Sequence, residues 1–257
     1  MGSGFYAACS GLLARMQALD VTANNLANVN TSGYKSENKF YGALTASLSQ
    51  TPVLLSPVNQ AINRFGILGG DFVNFREGSL QPTGNPTDLA IENSGFFVVK
   101  TSVGIRFTRN GSFHLDSKGT LVDSNDNTVL GQGGKISVTG LGKLGPITIP
   151  PGTVAVSKDG TISVAGSMAG RIVLADFAPG TPAIPEGALY FDAPAGSARP
   201  IANPSIQQGN LESSNMDPVS GAIDLVDIQR SADLMMKAIG IFNNDFDKTA
   251  AELVARV

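Results

Sequence analysis

Apolar residues fall at helical spacing near both ends of the chain and at strand spacing between them. Near the N-terminus Phe5, Cys9, Leu12, Met16, Leu19, Ala23 and Leu26 recur at alternating intervals of four and three, the repeat of a coiled-coil seam. This run stops at Asn28-Val29-Asn30-Thr31-Ser32-Gly33, where Asn and Gly accept the left-handed backbone that ends a helix. Near the C-terminus Asp217 offers an N-cap and Pro218 a preset first helical position. A second seam follows at Leu225, Ile228, Ala232, Met235, Ile239, Phe242, Phe246 and Leu253. Neither helix can cover its own stripe, so the economical arrangement packs the first against the last. About fifteen seam residues, at roughly 1–2 kcal/mol each, stand against the ordering entropy of roughly sixty residues. The pair is therefore marginal alone and needs neighbouring copies to complete it.

From about Asp88 to Tyr190 short apolar runs alternate with turn signals. Phe96-Phe97-Val98-Val99 has the composition of a buried strand. Ile105-Arg106-Phe107-Thr108 and Ser112-Phe113-His114-Leu115 flank Asn110-Gly111, which predicts a hairpin. Asp116-Ser117-Lys118-Gly119 and Lys158-Asp159-Gly160 predict two more turns, the latter joining Val154–Val156 to Thr161–Val164. Prolines 52 and 57 and the glycines from 66 to 70 break any long period between 36 and 83. The expected fold is α+β: N- and C-terminal helices paired as a coiled-coil stalk, with an inserted antiparallel β domain. Its expected divisions are 1–35 (helix of the stalk), 36–83 (extended connector), 84–205 (β-rich domain) and 206–257 (returning helix).

Composition narrows the function classes. A net charge of −3 with Lys and Arg scattered singly supplies no field for a phosphate backbone, so nucleic acid is not an expected partner. One cysteine, Cys9, excludes an internal disulfide and a multi-thiolate zinc site. The first twenty residues hold no Lys or Arg before Arg15 and no long apolar run, which predicts neither a cleaved signal peptide nor membrane insertion.

Candidate chemical motifs lack their required context. Gly140-Leu141-Gly142-Lys143-Leu144-Gly145 matches a dinucleotide fingerprint and follows strand-like Lys135–Val138, but Pro146 and Pro150 stand where the phosphate-facing helix would begin. Asp123-Ser124-Asn125-Asp126-Asn127 opens like a calcium loop but lacks the glycine at the sixth place and the closing Glu, so a polar hairpin turn is expected. The single histidine, His114, fits a strand surface. No cofactor, metal or catalytic group is predicted.

Three blocks carry a resemblance. Ser10-Gly11-Leu12 with the run from Ala23 through Asn24, Asn25, Leu26 and Asn28 to Tyr34-Lys35 resembles the N-terminal signature of flagellar axial proteins, the rod, hook and hook-associated proteins. Gly84–Ile91, Gly95-Phe96-Phe97 and Phe107–Phe113 resemble the family's central block, and Gln208–Asn215 with Gln229-Arg230 its C-terminal block. The resemblance implies a rod subunit, stacked helically around a hollow axis with its terminal helices innermost, exported unfolded by the flagellar type III apparatus without a cleaved signal. It further implies residence in the periplasmic basal-body rod, with itself and other rod and hook proteins as partners, and torque passed from motor to hook. Gly134-Lys135 and Gly145–Pro150 resemble the proximal-rod member, while Gln208–Asn215 fits the distal-rod member as well. The expected assembly residues are Leu12, Met16, Leu19, Asn25, Leu26, Asn28, Leu225, Ile228, Met235, Ile239, Phe242 and Phe246, with Asn25 and Asn28 fixing register by hydrogen bonds across helices. A secreted β-rich adhesin with a coiled-coil stalk, and a glycan hydrolase with a hidden acidic pair, are the rival classes.

Overall fold

The computed structural model describes residues 2–43, 67–133, 144–177, 181, 183–194 and 196–254, with side chains described for all of these except 2–8, 39–43, 67–72 and 242–254. Two compact units result: Met1–Ala27 with Glu37–Asn74 and Asp217–Val257, and Asn28–Ser36 with Phe75–Met216.

The first unit holds two long helices, α1 (Gly2–Ala27) and α2 (Pro218–Val254). Asp217 caps α2 as expected: its carboxylate accepts Val219 N–H (3.3 Å), Ser220 N–H (3.2 Å) and the Ser220 hydroxyl (2.5 Å). The helices run antiparallel, since Gly11 faces Met235 while Arg15 and Thr22 share a cleft with Asp224, Asp227, Ile228 and Ser231.

The covered face of α2 follows the expected stripe: Gly221 and Ala232 are buried, and Leu225, Ile228, Met235 and Ile239 half-buried. The face of α1 differs from expectation. Ala14 and Asn25 are buried and Gly11, Ala18 and Val21 half-buried, whereas Met16 and Ala23 are exposed. Small residues at Gly11, Ala14 and Ala18 bring α2 close, and the covered stripe shifts round the helix so that Leu12, Leu19 and Leu26 lie half-buried on its flank.

The stretch 36–83, expected as an extended connector, contains two strands paired with each other and a third, Leu80–Pro82, paired with Asn210–Glu212. Glu37–Ala43 runs antiparallel to Ile67–Val73 in unbroken register from Glu37 opposite Val73 to Ala43 opposite Ile67. Residues 44–66 lie outside the described set.

The second unit is a 13-stranded, antiparallel sheet assembly with two small strand pairs beside it. Its main path runs Val154–Val156, Thr161–Val164, Ser167–Ile172, Thr128–Gly133, Phe96–Thr101, Gly104–Thr108, Tyr190–Asp192 and Ile184–Glu186. The core gathers Leu89, Phe97, Val129, Ile147, Ile162 and Leu174, all with at most 1% of their surface exposed. Phe96–Val99 is the fully buried strand its composition predicts. Turns form at Asp116–Gly119 and Lys158–Gly160 as expected, the first closed by the Asp116 carboxylate on Lys118 and Thr120 N–H. Asp123 closes the polar turn in the same way, accepting N–H from Asn125 and Asn127.

The hairpin expected across Asn110-Gly111 does not form. Gly104–Thr108 pairs back onto Phe96–Thr101, while Phe113–Leu115 pairs forward onto Leu121–Asp123. Neither Asn110 nor Gly111 takes the positive φ that the hairpin turn needs. The chain crosses here instead, with Gly111 so close to Leu89 that a Cβ would lie 1.6 Å from its carbonyl oxygen. The Gly140–Gly145 fingerprint lies outside the described residues save for Leu144 and Gly145, the latter paired with Gly131.

Candidate functional site

Two places in the molecule carry side chains that a self-sufficient domain would not need: the outward faces of the helices, and a buried group of charges in the β unit.

On α2, Val219, Ile223, Val226, Leu234 and Ile241 are exposed. At about 3.6 residues per turn these fall on the side opposite the covered stripe, with Arg230 and Lys237 filling the same line. Leu13 and Met16 are likewise exposed on α1, away from its covered face. A helix apolar on two opposite sides has one partner inside its own chain and room for another. Phe242 and Phe246 belong to α2, but their side chains lie outside the described set. Asn25 is buried, and its amide brackets Glu37, donating to the carbonyl (2.7 Å) and accepting the N–H (2.9 Å), bonds that go to the strand Glu37–Ala43. Asn28 is half-buried and accepts the Thr31 hydroxyl at 3.2 Å.

In the β unit, Lys35, Arg109 and Glu212 come together from positions far apart in sequence, each at most 3% exposed. Glu212 Oε1 accepts from Lys35 Nζ (2.5 Å) and Gly78 N–H (2.8 Å), and Oε2 from Arg109 Nη1 (3.1 Å). Lys35 also donates to the Arg76 carbonyl (2.7 Å), and Arg109 Nη2 to the Asn93 carbonyl (2.7 Å), while its guanidinium lies over the Phe96 ring. Two cations thus share one carboxylate. Burial holds the Lys35 ammonium below its ordinary pKa, and the neighbouring Glu212 only partly offsets this.

Backbone contacts tighten the same knot. Gly33 N–H donates to the Glu212 carbonyl (2.7 Å), Ser36 N–H to Asn215 Oδ1 (2.8 Å), and Asn215 N–H to the Tyr34 carbonyl (3.4 Å). Gly33 has φ +71, and a Cβ there would lie 2.3 Å from Asn110 N, so only glycine fits. The segment following α1 is thereby tied to the segment preceding α2. None of the three charged residues stood out in the sequence as a site residue, although each lies inside a resembling block: Ser32–Lys35, Phe107–Phe113 and Gln208–Asn215.

No group of three or more His, Cys, Asp or Glu able to hold a metal occurs among the described residues. His114 is exposed on its strand, 3.4 Å from Asp126.

Comparison with known proteins bears on both places. Residues 5–35 match the family model described as flagella basal body rod protein, and residues 90–164 the flagellar hook protein FlgE/F/G D1 domain. The chain is 34% identical over 240 residues, covering 92% of each protein, to the flagellar basal-body rod protein FlgF of Caulobacter vibrioides. The chain belongs to the flagellar basal-body rod protein family. The rod protein FlgG of Borreliella burgdorferi is 28% identical over 95% of this chain and 96% of its own. The hook protein FlgE of Helicobacter pylori is 34% identical over 58% of this chain but only 24% of its own length. The rod-family match at 5–35 takes in most of α1 and ends on Lys35, and the hook/rod match at 90–164 contains Arg109.

Proposed function

We propose that this chain is a structural subunit of the flagellar basal-body rod. Copies polymerise helically through α1 and α2, whose pairing is a coiled-coil seam, and the rod carries torque from motor to hook. The single observation that carries the assembly surface is the second apolar stripe of α2, Val219, Ile223, Val226, Leu234 and Ile241, left uncovered by α1. An open, heterologous contact of this kind extends without closing, as a filament requires. Leu225, Ile228, Met235 and Ile239 of α2 supply the seam inside each copy, with Leu12, Leu19 and Leu26 on the flank of the covered α1 face.

The knot of Lys35, Arg109 and Glu212 suits the same role. Load entering through the helices reaches the β unit where both connecting segments are tied to one buried carboxylate. The chain is exported unfolded by the flagellar type III apparatus to the periplasm, and its place is the proximal rod, a reading that rests on the Gly134-Lys135 and Gly145–Pro150 runs.

Electron microscopy of basal bodies from a strain lacking this chain tests the proposal. Loss of the rod segment nearest the inner membrane is the expected result; an intact rod with a motile cell overturns it.

A further inference from the structure

Asn110-Gly111 promises a hairpin turn that the chain does not make, and the pair has a second property. Asparagine is a labile residue, most of all before glycine, which has no side chain to keep its backbone nitrogen away from the preceding amide carbon. The pair occurs once in the chain. In the reaction the Gly111 backbone nitrogen attacks Cγ of Asn110. A C–N bond forms and closes a succinimide ring, the nitrogen gives up its proton, and the Cγ–Nδ2 bond breaks with release of ammonia. Water then opens the ring at one carbonyl or the other. One opening gives aspartate, the other an isoaspartate whose main chain runs through Cγ. Water is the sole co-reactant.

The fold holds the pair away from this reaction. Asn110 is buried, its Oδ1 accepts the Ser112 N–H (3.0 Å), and its own N–H donates to Thr108 Oγ1 (3.0 Å). The Gly111 carbonyl accepts the Leu89 N–H (3.0 Å), and Gly111 lies against the Leu89 carbonyl with no room for a methyl group. Gly33 packs against the Asn110 nitrogen. Ring closure requires Asn110 to turn about its side-chain and backbone bonds until Gly111 N stands over the face of the amide. Three hydrogen bonds resist that turn. The same contacts explain why a labile pair stands here: Leu89 imposes the glycine, and the Ser112 N–H is met by the short side-chain oxygen that asparagine carries.

We propose that Asn110-Gly111 is a self-modifying site gated by folding, inert in the folded β unit and converted spontaneously in the unfolded chain to a product that cannot refold. The two products differ in consequence. Aspartate keeps the natural main chain and an oxygen for the Ser112 N–H. Isoaspartate lengthens the main chain by one carbon between Arg109 and Gly111, so Arg109 cannot reach Glu212 while Gly111 keeps its place against Leu89. The chemistry stands on these residues alone. Its consequence rests on the rod reading, under which the chain waits unfolded for export: the pair limits how long an undelivered copy stays usable, while a copy built into the rod is protected.

The test incubates the full-length chain, folded in buffer and unfolded in guanidinium chloride at the same pH and temperature. Residue 110 is followed by peptide mapping with fragmentation that tells aspartate from isoaspartate. Conversion of Asn110 should be faster in the unfolded chain by about 100-fold or more, since the folded chain reacts only through openings that break all three hydrogen bonds. Equal rates overturn the gating, and an unfolded chain that reacts first at another asparagine overturns the choice of site. On removal of denaturant the isoaspartate product should collect in the fraction that fails to refold and the aspartate product in the refolded one; equal shares of isoaspartate in both overturn the inference. Asn110→Asp, made directly, should refold like the natural chain, and a variant that stays unfolded would place the harm in the charge rather than in the rerouted main chain. Asn110→Ser offers an oxygen to the Ser112 N–H but no amide carbon to attack, so its refolding yield should survive the same incubation. A yield that falls as fast as the natural chain's, for instance through Asp159-Gly160, overturns the assignment. In cells, chain recovered from assembled rods should keep the amide; isoaspartate at equal levels in rods and in undelivered chain overturns the consequence for export, separately from the chemistry.

Discussion

The β unit and the helix pair cover their apolar residues to different depths. In the β unit Phe97, Val98, Val99, Val129, Ile147 and Ile162 have no exposed surface. Among the described side chains of the helices the most deeply covered are Asn25, Ala232 and Ala14, at 4%, 8% and 9% exposure, while Leu234 is 65% exposed and Leu13 58%. A sheet closes its core with strands from its own chain. Two antiparallel helices bury one stripe each, and apolar residues placed on the opposite side of α2 gain nothing until another helix arrives. Within one copy the β unit covers its apolar core, while the helical unit leaves an apolar stripe uncovered.

If that contrast is correct, damage to the β unit should appear as lost stability and damage to the outer helix stripe as lost assembly. The largest stability effect should come from Glu212→Ala, which leaves Lys35 and Arg109 as buried cations without their shared carboxylate. A loss of about 3–5 kcal/mol is expected, read by urea unfolding of the full chain. A change below about 1 kcal/mol would mean that the knot contributes little and that torque passes elsewhere. Gly33→Ala comes next. The left-handed backbone alone costs a residue with a Cβ about 1–2 kcal/mol, and the clash with Asn110 N adds to it.

On the helical side, Leu234→Asp should change unfolding free energy by no more than about 0.5 kcal/mol, since the side chain is already in water. Sedimentation should nevertheless show that polymer formation is lost, and cells carrying the change should not swim. Ala232→Asp, on the covered face, should separate the helix pair itself and lower helix content by circular dichroism. If both substitutions leave assembly intact, the stripes are not the assembly surface and the comparison between the units loses its meaning.

Local signals in the sequence were sufficient where the structure is local. The α2 stripe was legible because Leu225, Ile228, Met235 and Ile239 are large and evenly spaced, and the turns at Asp116 and Asp159 because each is closed by its own carboxylate. The covered face of α1 was misplaced because Gly11, Ala14 and Ala18 do not register as hydrophobic anchors, although their smallness is what admits α2. Asn110-Gly111 signalled a hairpin that Arg109 and Gly111 override through contacts with Glu212, 103 positions away from Arg109, and with Leu89. The knot left no periodicity to follow, since Lys35 and Glu212 are 177 positions apart and become neighbours only through the fold. What the sequence did carry was the resembling blocks, which contain all three charges without revealing that they meet.

The smallest expected effect separates the two cations of the knot. Burial holds the folded Lys35 below its ordinary pKa, which is about 10.4 in an unfolded chain. Between the folded value and the unfolded one, the unfolded chain keeps a proton that the folded chain has released. The unfolded state therefore binds more protons across that window, and stability rises with pH through it. The physical reason is that neutral Lys35 leaves Glu212 paired with Arg109 alone, one charge of each sign, and removes the excess buried cation. Lys35→Met makes that change at every pH, so it should cost far less than Glu212→Ala and should flatten the rise. Urea unfolding at stepped alkaline pH up to about 10 reads this directly: a rising unfolding free energy for the natural chain and a shallower one for the variant. Parallel slopes in the two proteins would show that Lys35 is not the titrating group, and the description of the knot as one carboxylate between two unequal cations would have to be given up.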